Sequence, residues 1–104
     1  MRQAILFESR VERAFSEWIE TPAGRYVEAE VARLAREDRA AGDRRGEINL
    51  YLALVRRSSR GLTKDRAGYA CNQNHRAYLS RRLMERIPAL RDFFLIRELR
   101  GRAA

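Results

Sequence analysis

Residues 21–40 read TPAGRYVEAEVARLAREDRA, and the reading of this stretch decides the fold. Thr is a good helix N-cap, and Pro at the first helical position gives up an N–H that would have had no partner anyway. Val27, Val31, Leu34 and Ala35 then recur at helical spacing, while Arg25, Glu28, Glu30, Arg33, Arg36 and Glu37 fill the opposite side. The spacing predicts an amphipathic helix from Pro22 to Ala40. Gly24, in its first turn, weakens it by about 1 kcal/mol relative to Ala.

Upstream, Ile5, Phe7, Val11, Ala14, Phe15, Trp18 and Ile19 fall at i, i+3, i+4 and i+7 intervals and predict another amphipathic helix from Arg2 to Ile19. It either precedes the second helix as a separate element or forms one bent helix with it. Downstream, AGDRRG (41–46) breaks the pattern and reads as a loop. A third helix is expected from Glu47 to Arg57. Ile48, Tyr51, Leu52 and Val55 form its apolar face and Leu50 and Leu54 widen it, which predicts a central, largely buried helix. Arg56 and Arg57 end it, complementing the negative pole of the helix dipole.

Residues 58–71 (SSRGLTKDRAGYAC) read as a loop with room for a short β element near 66–71. A fourth helix should begin at Asn72 or Asn74, both plausible caps, and run to Arg86 with Leu79, Leu83, Met84 and Ile87 inward, closed by Pro88. Phe93, Phe94, Ile96 and Leu99 suggest a short closing helix or turn over the core. The expected architecture is all-α, a bundle of four to five helices in a single domain over 1–104. Residues 1–40 supply the amphipathic N-terminal helices and 45–100 the basic helical C-terminal part.

Charge is distributed unevenly. Residues 1–47 hold nine Arg against ten acidic residues, a balance of −1. Residues 48–104 hold 12 Arg and Lys64 against Asp65, Glu85, Asp92 and Glu98, a balance of +9, which completes the net +8 of the chain. A neutral half joined to a strongly cationic half is the electrostatic footprint of a protein that meets a polyanion, most often nucleic acid. Arg outnumbers Lys 21 to 1. Base composition of the gene accounts for the choice of Arg, but not for its gathering in one half.

The candidate nucleic-acid-binding residues form two groups. Arg56, Arg57, Arg60, Lys64 and Arg66 lie at the end of the third helix and in the loop after it. Asn72, Asn74, His75, Arg76, Tyr78, Arg81 and Arg82 lie at the start and along the fourth helix. A helix N-terminus favours phosphate, Asn suits adenine and Arg suits guanine. The plainer readings are caps for Asn72 and Asn74, and an edge of the core for Tyr78. A standard helix-turn-helix joins its helices by three or four residues. Here residues 58–71 intervene, so the fourth helix would reach DNA in a looser or winged arrangement.

No catalytic constellation is expected. The chain has one histidine, no glycine-rich phosphate loop and no converging carboxylates. One Cys (Cys71) and one His (His75) are too few for a structural zinc site, so no metal and no cofactor are expected. A lone Cys fits a reducing compartment. No secretory leader and no apolar run of about 20 residues is visible, so the expectation is a cytoplasmic protein without a membrane partner.

The stretch from Tyr69 to Arg100, YACNQNHRAYLSRRLMERIPALRDFFLIRELR, resembles the C-terminal part of a group of small uncharacterised proteins of bacterial genomes and prophages. The resemblance rests on Tyr69, Asn72, Asn74, Tyr78, Arg81, Met84, Pro88, Phe93, Phe94 and Arg97. Ala41 to Arg57 resembles that group's basic, Gly-containing turn followed by an Ile-rich helix. The chain departs at Gln73, where those proteins usually carry a third Asn, and its first 40 residues look unlike them. The resemblance implies a phage-associated regulatory or accessory factor acting on DNA, while the charge alone leaves DNA and RNA both open. The alternative it implies is a protein-binding module, such as an inhibitor of a host defence complex; the apolar first helix, with Phe7, Phe15 and Trp18, would then be its interface or that of a homodimer.

Overall fold

A computed structural model describes residues 2–58 and 73–94, with side chains over 10–58 and 75–94. Four helices follow in chain order: α1 (Arg2–Ile19), α2 (Pro22–Ala40), α3 (Ile48–Ser58) and α4 (Gln73–Arg86), then a 3-10 turn at Pro88–Leu90. Among the described residues there is no β-sheet, only one isolated parallel bridge between Gly46 and Phe94. The architecture is all-α, as the periodicities predict. The β element expected near 66–71, and Ile96 and Leu99 of the expected closing segment, lie outside the described residues.

α1 and α2 are separate helices, and Thr21 is the reason. Its Oγ1 accepts the Gly24 N–H at 3.0 Å, capping α2, and donates to the Trp18 carbonyl at 2.6 Å, closing α1. Such a cap contributes about 1 kcal/mol. Gly24 has a use that helix propensity does not show. A Cβ there would lie 2.8 Å from Ile19 Cα and closer still to the Trp18 carbonyl oxygen, so only glycine lets the two helices turn this tightly.

α2 ends in a Schellman motif. The Gly42 N–H donates to the Arg39 carbonyl and the Asp43 N–H to the Asp38 carbonyl, with Gly42 at φ 106°. L-residues rarely adopt that backbone, which fixes glycine at the turn.

The central helix is α2 rather than α3. α2 packs against α1, α3, α4 and the 3-10 turn. Its small inward residues, Gly24, Val27, Val31, Ala32 and Ala35, allow that many close neighbours. α3 buries only Tyr51, Leu52 and Val55, while Leu50 and Leu54 stay 53% and 43% exposed. The expectation of a largely buried α3 is therefore corrected: its apolar content exceeds what one packed face can cover. Phe15, Ile19, Leu79, Leu83, Leu90, Phe93 and Phe94 complete the core. Ala14, assigned inward by periodicity, is exposed. Met84, Ile87 and Leu34 are half-buried around the core's edge.

α3 runs antiparallel to α2. At one end the Tyr26 hydroxyl lies 3.5 Å from Ser58 Oγ, and towards the other the Tyr51 hydroxyl donates to Asp38 Oδ2 at 2.6 Å. Burial, reinforced by the Asp38 carboxylate, raises the Tyr51 phenol above its ordinary pKa and keeps it protonated. No described helix is long and apolar enough to cross a membrane.

Candidate nucleic-acid interface

The sequence places a run of polar and basic residues on α4, and packing divides them. Residues four apart stack on one side of a helix, so Tyr78 and Arg82 point one way and Arg81 and Glu85 another. The Tyr78 and Arg82 side faces the N-terminal helices. Tyr78 stacks on Phe15 at 5.6 Å between ring centroids, and His75 meets Phe15 edge-on at 5.6 Å and Trp18 at 5.7 Å. Burial lowers the His75 pKa. Phe15 is buried and Trp18 half-buried in this cluster, so both belong to the body of the fold and not to a free interface. Phe7's side chain lies outside the described residues.

Arg82 donates through Nε to Glu28 Oε2 of α2, and both side chains are mostly buried. Arg76 reaches back to α3 and donates to Asn49 Oδ1 at 2.6 Å. These contacts revise the role of His75, Tyr78 and Arg82: they hold α4 onto α1 and α2, and Arg76 ties it to α3. The physical reason is that α4 has few apolar residues, so it docks through aromatic edges and a charge pair as well as through Leu79 and Leu83.

The other candidates stand differently. Arg81 is exposed on α4, and Arg56 and Arg57 are exposed in the last turn of α3. Arg60, Lys64, Arg66 and Asn72 lie outside the described residues, as does the Asn74 side chain. Cys71 does too. Among the described residues no group of three or more potential metal ligands converges.

A further site lies at the loop that AGDRRG (41–46) predicts. The 41–47 loop returns along the chain after the 3-10 turn: the Gly46 N–H donates to the Phe93 carbonyl at 3.1 Å. Arg39 clasps both segments. Its Nη1 donates to the Arg44 carbonyl at 2.9 Å and its Nη2 to the Arg91 carbonyl at 3.4 Å, and its guanidinium lies 5.5 Å from the centre of the Phe93 ring. The segments so joined enclose an open cleft of about 700 Å³ lined by Arg39, Gly42, Asp43, Arg44, Arg45 and Asp92. Arg44, Arg45 and Arg91 are exposed, and among the described residues none of them bonds to a carboxylate.

Ion pairing elsewhere follows the halves of the chain. Arg33 bonds both Glu30 and Glu37 along α2, and Arg25 bonds Glu20. The Arg25 guanidinium holds the Glu20 carboxyl below the usual carboxylate range. Glu30 and Glu37 thus pair on their own helix, Glu20 pairs from the turn before α2, and Glu28 pairs across to α4. Charge balance by halves does not single out Arg44 and Arg45, because their half sums to −1. The signal that could have found them is the DRRG turn, whose two arginines follow a helix end and lie on no helix face. The arrangement offers exposed guanidinium groups and hydrogen-bond donors, which is the equipment of a surface that holds anions. No known protein family, no curated protein and no solved structure matches the chain.

Proposed function

We propose that this chain is a small helical nucleic-acid-binding protein that acts by binding and not by catalysis. One observation carries the reading: Arg44, Arg45, Arg57, Arg81, Arg86 and Arg91 are exposed and, among the described residues, none bonds to a carboxylate, in a chain of net charge +8. Exposed, unneutralised guanidinium groups bind phosphate and release the counterions condensed on it. The +9 balance of residues 48–104 supports the same partner. Regulation or accessory service to a phage genome is the setting that the sequence resemblance favours.

The test is fluorescence anisotropy on mixed-sequence DNA and RNA across a salt series. Binding is expected at about 50 mM salt, with affinity falling steeply towards about 200 mM. Absence of binding to either nucleic acid at the lower salt would remove the reading.

A second reading keeps one specific observation. Leu50 and Leu54 are exposed one turn apart on α3, where a host protein complex or a second copy of the chain would cover them. Affinity capture with and without nuclease separates the two. A stoichiometric partner that survives nuclease favours protein docking, and loss of all partners favours nucleic acid.

A further inference from the structure

We infer that the cleft between the 41–47 loop and Asp92 is a subsite for a single nucleotide of an unpaired strand, with Arg44 and Arg45 on the phosphate and Asp43 and Asp92 on donor groups of the base or ribose. This rests on the nucleic-acid reading above and goes past it to the strand form and the contacts.

The acids are the telling feature. A surface that only tracks phosphate gains nothing from carboxylates, which repel it. Here Asp43 and Asp92 share one cleft with Arg39, Arg44 and Arg45. No guanidinium of the three comes within the 4.0 Å of an ion pair with either carboxylate. Charges of both signs face a common space and leave each other unpaired. An ionised carboxylate only accepts hydrogen bonds, and a guanidinium only donates them. The ligand that satisfies both carries an anionic acceptor and neutral donors a short distance apart. A nucleotide does so, with its phosphate at one end and its exocyclic amino, ring imino or ribose hydroxyl groups at the other.

The walls are set before any ligand arrives. Arg39 is held by two carbonyl oxygens and the Phe93 ring, so it serves as a fixed wall and not as a mobile cation. Asp92 sits at φ 60°, a left-handed backbone that Asp and Asn tolerate better than most residues. The volume of about 700 Å³ falls among cavities that take small organic ligands. A base must leave its stack to enter such a cleft. A single strand offers this freely, and a duplex has to be opened first.

The experiment uses the full chain and three labelled probes: a mixed-sequence single-stranded DNA, the RNA of the same sequence, and the DNA annealed to its complement. Two double variants are compared with the wild type, R44Q/R45Q and D43N/D92N. All four positions are exposed and Asn is tolerated at positive φ, so circular dichroism melts should match the wild type. The inference expects R44Q/R45Q to lose about tenfold in single-strand affinity. It expects D43N/D92N to lose affinity for at least one of the two single strands, about fivefold, although that change makes the protein more positive by two charges. Duplex binding should be weaker than single-strand binding and should not fall in D43N/D92N. Tighter or unchanged binding of both single strands by D43N/D92N would show a plain cationic patch and overturn the inference. Wild-type binding that neither variant alters would also overturn it and leave the nucleic-acid reading standing. A wild type that binds none of the probes at low salt removes both.

Discussion

Arg82 is the residue on which structural and nucleic-acid roles part most sharply, and its replacement by alanine tests the division. Its bond to Glu28 joins α4 to α2 across 54 positions of sequence, with 25% of the Arg82 side chain and 19% of the Glu28 side chain exposed. Exposed ion pairs contribute about 0–1 kcal/mol. Removing one member of a fully buried pair costs about 3–5 kcal/mol, because the other charge is left without a partner in a poor solvent. At these exposures R82A should cost about 2 kcal/mol, between the two limits. In a two-state domain of this size that lowers Tm by roughly 10 °C. R81A, one residue away on the exposed side, should stay within about 0.5 kcal/mol of the wild type. Urea denaturation of E28Q, R82A and the double variant forms a cycle whose coupling should reach about 1 kcal/mol. Nucleic-acid affinity should respond in the opposite order, with R81A weakening it and R82A leaving it nearly unchanged under conditions where both are folded. A coupling near zero, or an R82A protein that is stable but binds poorly, would refute the assignment of Arg82 to the fold.

Two further perturbations probe the packing. Helix propensity alone says that Gly24→Ala should stabilise α2 by up to about 1 kcal/mol. The close approach of Trp18 and Ile19 backbone says the reverse, a loss of about 3 kcal/mol as α1 and α2 are forced apart; thermal denaturation reads the sign directly. His75 makes stability depend on pH. Its folded pKa lies below the ordinary value of about 6.5 because burial against Phe15 and Trp18 disfavours the charged ring. The stability it contributes is whole above about pH 6.5 and is lost as pH falls from there through the folded pKa, since the unfolded chain takes up the proton first. As this is the chain's one histidine, the urea midpoint should fall between about pH 7.5 and 5.5 in the wild type and far less in H75F.

The helices were legible because their signals are local. Thr21-Pro22 marks the start of α2, and Pro88 closes α4, each through backbone chemistry that no distant contact can override. The order of burial was not legible, because it depends on which helix the others choose. α3 carries the richer apolar stretch, yet α2 sits at the centre, since approach distance rewards Gly24, Val27, Ala32 and Ala35 over larger residues. A hydrophobic count measures what a helix gains by burial and is silent about how closely its neighbours can come.

The same distinction governs the candidate site. Summed along the chain, positive charge belongs to residues 48–104, and α4 carries four of its cations. Folded, α4 turns Tyr78, Arg82 and His75 towards α1 and α2, because its inward stripe at 75, 78, 79, 82 and 83 includes polar positions that the packing must use. Guanidinium groups from the neutral half join the open ones, since Arg44 and Arg45 sit in a turn after the helix has ended and have no helical neighbour to pair with. A cation's availability is set by what lies beside it in space, and a turn between two helices keeps side chains apart that a helix face would bring together. That is why Asp43 and Arg44, adjacent in sequence, remain unpaired while Arg33 binds two glutamates within four residues, and why the cleft holds charges of both signs ready for a ligand that brings its own.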